Sequence, residues 1–375
     1  MPLNLTLASR NLFHDRLRFV ATMVGIVFSV VLVMVQMGLY LGFGRMVTTV
    51  IDHTSADLWV MRHGTKCFED PSLLSASKQT RVAATAGVAE AIPLVIGFSG
   101  WILPSGEITP VFVVGSDLQT LKPWNVTEGT VEALSAPGAV AVDRSYFERL
   151  GVSGIGSKAD IRGHPVSVAV VADGIRSFTT TPYIFSEMSR ARTYTGIPST
   201  MASYMLVKLS PGADLEHVRR DLQASLPDSD VLTSAEFRER SRSYWLFGTG
   251  AGAALFAGAI LGIIVGTVIV GQTLYSSTKD HLDEFATLRA MGSSHGYIYS
   301  VIIYQALLNA VIGFGLATLI GFAVVRFTMS SALPVLLTPP LILAMLALTV
   351  IMCVASALAA IFRVLRVDPV MVFTR

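Results

Sequence analysis

The segment from Asp280 to Gly292 gathers the side chains best suited to chemistry with a partner. Ser277-Thr-Lys-Asp280 approximates a capping-box start, and Gly292 closes the predicted helix. Asp280, Asp283 and Glu284 fall in its early turns and Arg289 in its last, the order that suits a helix dipole. Leu282, Phe285 and Ala286 share one face, with Leu288 beside it. The chemistry on offer is docking: apolar side chains that insert into another surface, ringed by Asp283, Glu284 and Arg289. The plainer alternative is a solvated connector resting on lipid.

Catalytic chemistry is not written in the rest of the chain. No G-x-x-x-x-G-K-[ST], H-E-x-x-H or C-x-x-C pattern occurs. The histidines are scattered without ligand spacing, and Ser99 and Ser105 lack a G-x-S-x-G context. No catalytic residue, metal or cofactor is expected. A net charge of +2 without a basic-aromatic stripe argues against a nucleic-acid partner. Cys67 lies in the polar middle of the chain and Cys353 in the last apolar run, so no disulfide is expected.

The elements that must position the docking segment are membrane spans. Apolar runs cover Phe19–Gly44, Leu246–Leu274, Ile298–Val325 and Leu336–Phe362. Each exceeds the roughly 20 residues a helix needs to cross hydrocarbon. Only 14% of residues are charged, well under the share of about 25% in soluble domains. The first run is too long for a leader's apolar core and reads as a retained anchor. The spans carry no Asp or Glu, which argues against a proton-driven carrier and places the energy source outside the chain. Gln36 is the strongly polar group of the first span, expected to bond a neighbouring helix or, alternatively, a substrate.

This gives a fold class of four transmembrane helices in a 1 + 3 layout with a large extracytoplasmic α+β domain. The divisions are 1–18, a cytoplasmic amphipathic helix; 19–44, the first span; 45–245, the external domain; 246–274, the second span; 275–297, the cytoplasmic coupling loop; 298–326 and 336–362, the last spans; and 363–375, the tail. Arginines and lysines in the N-terminal segment, the 275–297 loop and the tail place all three in the cytoplasm. A cysteine at position 293 should then label from inside and Cys67 from outside. Arg16 and Arg18 face either headgroups or a partner. Gly248, Gly252, Gly258, Gly262 and Gly266, with Gly313 and Gly321, allow close helix approach, inside one chain or at a seam between copies.

Within the external domain, Val111–Val114, Ala139–Val142, Val166–Val171 and Tyr204–Lys208 read as strands. Asp143–Leu150 and Asp214–Leu226 read as helices, the second capped by Asp214. Residues 233–245 are predicted to run as a helix straight into the second span. Thr338-Pro339 is predicted to start the last span as N-cap and first helical residue.

Asp283-Glu-Phe-Ala-Thr-Leu-Arg-Ala-Met-Gly292 resembles the loop signature of FtsX-like permeases of the MacB group. Arg16-Leu-Arg-Phe-Val-Ala-Thr-Met-Val-Gly25, Val33-Met-Val-Gln36 and Arg366-Val-Asp-Pro-Val-Met-Val-Phe373 are similar to the DevC branch. Gly138 to Gly151 resembles the MacB periplasmic core domain. The resemblance implies an ABC-type export permease of the bacterial inner membrane that works as a homodimer with a separate ABC ATPase dimer. It further implies an HlyD-like membrane-fusion adaptor, a TolC-like outer-membrane duct, and cargo of the drug, lipid or glycolipid kind. A second reading is an FtsX-like signalling scaffold that regulates a cell-wall hydrolase.

Overall fold

The computed structural model describes residues 16–179, 181–280, 295–328 and 335–364. It forms two units: a helical one from 1–42, 253–329 and 334–375, and a mixed one from 43–252 with 330–333. In chain order the elements are α1 (Arg16–Val47), α2 (Thr49–Asp52), β1 (Leu58–Arg62), β2 (Leu74–Ser75), α3 (Lys78–Ala83), β3 (Val88–Ile102) and β4 (Ile108–Ser116). Next come β5 (Val126–Glu128), β6 (Ala139–Asp143), α4 (Phe147–Leu150), β7 (Lys158–Ile161), β8 (His164–Ala172), β9 (Tyr183–Glu187) and α5 (Met188–Thr195). The chain continues through β10 (Met201–Ala202), β11 (Tyr204–Leu209), α6 (Leu215–Ser225), β12 (Ser229–Thr233) and α7 (Ser234–Ser243). Helices α8 (Ala251–Asp280), α9 (His295–Thr328) and α10 (Pro339–Val364) complete the described residues.

Among the described residues four helices are long and apolar enough to cross a membrane: Phe19–Val47, Ala251–Thr273, Tyr299–Thr328 and Pro339–Ala359. Helix α1 is the most enclosed of them and forms the axis of the helical unit. Helix α8 runs antiparallel to it. A Cβ added at Gly258 would meet Gln36 Nε2 at 2.7 Å, and one at Gly262 would meet Val33 Cγ2 at 2.8 Å. The hydroxyl of Ser29 donates to the Gly262 carbonyl across the same seam. Helix α9 runs parallel to α1, with Gly313 against Ile26 and Gly321 against Met34, each at 2.5 Å from an added Cβ. Between α8 and α10, the Ser356 hydroxyl donates to the Thr267 carbonyl at 3.0 Å. Pro339 opens α10, where its missing N–H costs nothing, and Ile342 N–H donates to the Thr338 carbonyl.

The mixed unit is built on a ten-stranded sheet in the order β12-β1-β11-β3-β4-β9-β6-β8-β5, with β7 bridging β3 and β8. Strand alternation distributes its apolar residues. In β4, Phe112 and Val114 enter one core while Val111 and Val113 enter another; in β1, Trp59 and Met61 part from Leu58 and Val60. One face therefore carries a continuous core from Trp59 to Phe185. The other face carries two separate cores, one with Val218 and Leu222 of α6, the second with Leu150 and Ala191 of α4 and α5. Those two cores make the domain bilobed, and β3 spans both lobes: Val88–Leu94 pairs with β11 and Val95–Ile102 with β4. At the changeover the buried Ser203 hydroxyl donates to the Ile96 carbonyl at 3.0 Å and accepts its N–H at 2.9 Å. The four predicted strands lie within β4, β6, β8 and β11, and the Asp214 carboxylate caps α6; the predicted helix 143–150 is instead a 3-10 turn, Arg144–Tyr146, capped by Asp143 and followed by the short α4.

The path into the second span differs from the sequence expectation. Helix α7 begins on a full capping box between Thr233 and Glu236, but it does not continue into α8. It passes into a wide turn, Tyr244–Gly248, in which Thr249 N–H donates to the Tyr244 carbonyl at 3.0 Å. Gly250 then takes φ of +77°, and α8 starts at Ala251 rather than at 246. The breaker is Gly250 itself, which reaches the left-handed region without a Cβ penalty.

Candidate coupling elements

The residues predicted to engage a partner, Asp283, Glu284, Phe285, Leu288, Arg289 and Gly292, lie outside the described residues. Asp280 is the last residue of α8. Arg16 is exposed at the first position of α1, and Arg18 falls in the same turn, so residues 16–18 belong to the first long helix. Gly258, Gly262, Gly266, Gly313 and Gly321 all meet α1 of their own chain. Gly248 and Gly252 do something else: an added Cβ would strike the Tyr244 ring at 3.2 Å and the Leu246 carbonyl oxygen at 2.5 Å. Both serve the wide turn before α8. In the spans, Gln36 Oε1, Asn309 Oδ1 and Thr318 Oγ1 are buried without a hydrogen-bond partner among the described residues.

The last turn of α1 and the turn before α8 enter one aromatic cluster of the mixed unit. Met46 and Val47 pack with Phe43, Phe178 and Trp245. The Phe178 ring lies 4.3 Å from Trp245 and 5.1 Å from Phe43. Beneath Trp245 sits a carboxyl that sequence reading missed. Glu69 is 6% exposed, and it accepts from Trp245 Nε1 at 3.0 Å and from the Tyr183 hydroxyl at 3.2 Å. Burial lifts its pKa to about 7, against the lowering effect of the two donors. Its segment is pinned by the Tyr204 hydroxyl, which donates to the Cys67 and Phe68 carbonyls at 3.0 Å each. Nothing in Lys66-Cys-Phe-Glu-Asp70 announces burial, because the residue that seals the site arrives from position 245.

Cys67 is fully buried beside it, and burial pushes its thiol up to about 12. A buried thiol reacts poorly, so labelling of Cys67 is a weak reporter of which side of the membrane it faces. Among the described residues no cluster of His, Cys, Asp and Glu could hold a metal ion.

Comparison with known families places the architecture. A model of the MacB-like periplasmic core domain matches residues 19–225, and a model of the FtsX-like permease C-terminal matches residues 246–369. The chain is an FtsX/MacB-like ABC transporter permease. Among solved structures, the periplasmic region of MacB from Actinobacillus actinomycetemcomitans is 11% identical, with a TM-score of 0.39, over 50% of the permease and 94% of that chain. The extracellular domain of the noncanonic ABC-type transporter YknZ from Gram-positive bacteria is 15% identical, with a TM-score of 0.35, over 48% and 99%. No curated protein sequence matches the permease. Family membership makes it a multi-pass membrane subunit of an ABC transporter with an extracytoplasmic domain, and implies an ABC ATPase partner.

Proposed function

We propose that the permease is the membrane subunit of an exporter that turns ATP hydrolysis in a separate ATPase into movement of its extracytoplasmic domain. The observation that carries this reading is the pairing of the two family matches, one on each side of residue 246, in a chain with no P-loop pattern. The segment 275–297 receives the ATPase, with Phe285 and Leu288 inserted and Asp283, Glu284 and Arg289 at the rim. Both termini and this segment lie in the cytoplasm. Spans without Asp or Glu suit force transmission better than ion passage. The working unit is a homodimer. The DevC-like ends favour an HlyD-like adaptor, a TolC-like duct and efflux or lipid-type cargo.

Reconstitution tests the proposal. The permease alone in liposomes hydrolyses no ATP, and with its ATPase it forms a complex whose hydrolysis responds to the permease. Full transport competence with no hydrolysing companion sinks the reading. Orientation is tested separately with Ser293→Cys and Ser105→Cys, the latter at an exposed turn of the domain. An impermeant maleimide applied from outside labels position 105 alone; labelling of position 293 alone inverts the topology.

A further inference from the structure

Glu69 is a buried acid for which force transmission has no evident use. Its surroundings are aromatic and apolar, and among the described residues it makes no ion pair. The groups facing it are Cys67 and Asp70 of its own segment, Tyr183 on β9, Tyr204 on β11, and Tyr146 beyond Ser177. Lys66, the nearest cation in sequence, points elsewhere, with its Nζ over the Tyr244 ring at 5.8 Å from the centroid. An ionised Glu69 therefore has two neutral donors and no counter-charge. A neutral Glu69 is fully satisfied. Trp245 Nε1 still donates to one oxygen, the acid O–H donates to the Tyr183 oxygen, and the Tyr183 hydroxyl keeps its hydrogen bond with Ser177. Ser177 in turn meets Thr179 Oγ1 at 2.7 Å.

The position matters as much as the chemistry. Trp245 lies within the wide turn Tyr244–Gly248, and Gly250 follows it before α8 begins. Gly252 has no room for a Cβ against Leu246, so the turn has little slack. A change in what holds Trp245 is thus delivered at the start of a membrane span.

We propose that Glu69 is a proton-binding site that, when occupied, holds Trp245 and the turn entering α8 against the extracytoplasmic domain. The proton comes from bulk water outside the membrane and returns there. The sign follows from burial. The closed arrangement favours the neutral acid, so it is fully supported below the ordinary carboxylate range and loses support as pH rises through about 7. At higher pH the carboxylate seeks water and frees Trp245. The consequence for transport rests on the proposed role of α8; the titration itself is read without ATPase or cargo.

The test uses the full chain in nanodiscs, labelled with 5-fluorotryptophan, with the Trp245 resonance assigned by Trp245→Phe. Between about pH 5 and about pH 9, a range that brackets a raised carboxylate, the Trp245 resonance shifts with a midpoint of about 7. Glu69→Gln, a permanent stand-in for the neutral acid, holds the low-pH position throughout. Tyr183→Phe removes one of the two donors to the carboxylate and moves the midpoint up. A flat wild-type trace, or a titration that survives Glu69→Gln, overturns the proposal. Should Glu69→Gln fail to accumulate, the Tyr183→Phe arm decides, and an unmoved midpoint overturns it.

Discussion

Phe285→Asp leaves the permease in the membrane and strips it of control over its ATPase. The spans that govern insertion lie elsewhere, at Phe19–Val47, Ala251–Thr273, Tyr299–Thr328 and Pro339–Ala359, so bilayer targeting is unchanged. At the proposed docking segment the substitution is expected to act twice. It removes an aromatic anchor worth about 3 kcal/mol when buried in a pocket. It also places a carboxylate where an apolar contact belongs, which costs further desolvation. Each 1.4 kcal/mol is about tenfold, so affinity for the ATPase falls at least about 100-fold. The measurement is ATP hydrolysis by the reconstituted complex beside membrane fractionation of the same cells. Hydrolysis drops to the rate of the ATPase alone while the permease stays in the membrane fraction. Wild-type coupling in this variant would remove the 275–297 segment from the mechanism.

Trp59→Ala loosens the extracytoplasmic domain by about 3–5 kcal/mol, the usual cost of emptying an aromatic core position. Trp59 is fully buried, with Phe237 at 5.1 Å, Tyr204 at 5.5 Å and Phe68 at 6.2 Å between ring centroids. Its Nε1 donates to the Ser234 hydroxyl at 3.1 Å, and that hydroxyl donates to the Ala56 carbonyl at 2.6 Å. One side chain thus ties β1 to the first turn of α7, the helix that leads to the wide turn before α8. Removal leaves a large cavity and takes a donor from Ser234. For a domain of this size the thermal midpoint falls by about 10 °C. Near-UV circular dichroism of the full chain in nanodiscs follows it. A drop under about 2 °C would show that the aromatic cluster closes over the gap and that Trp59 is not the tie.

Local patterns made the spans and many of the elements legible. Runs of apolar residues past the length of a bilayer crossing need no tertiary information to be recognised, and Thr338-Pro339 announces a helix start by backbone chemistry alone. Val111-Phe-Val-Val114 reads as a strand for the same reason, as does Asp214 as a cap. The run from Thr233 into the second span was misread because the residues around Gly250 are compatible with helix. A glycine among apolar residues is tolerated in a span, and its left-handed φ of +77° appears only where neighbouring turns demand it. Gly248 and Gly252 share the spacing of Gly258, Gly262 and Gly266, yet only the latter three meet another helix. Spacing along one helix does not say which stretch has a neighbour.

By itself, then, the amino-acid order determined how many times the chain can cross a bilayer, where its strands and caps fall, and that it carries no P-loop of the usual pattern. These depend on residues within a turn or two of one another. Only the tertiary structure decided that α1 is the axis against which the glycines of α8 and α9 close, and that the two lobes share β3. It also decided that Glu69 is sealed beneath Trp245, a contact between residues 176 apart. The physical reason is that burial and its consequences for charge are set by what arrives from distant parts of the chain, and a side chain's desolvation is invisible until the groups that exclude water are in place.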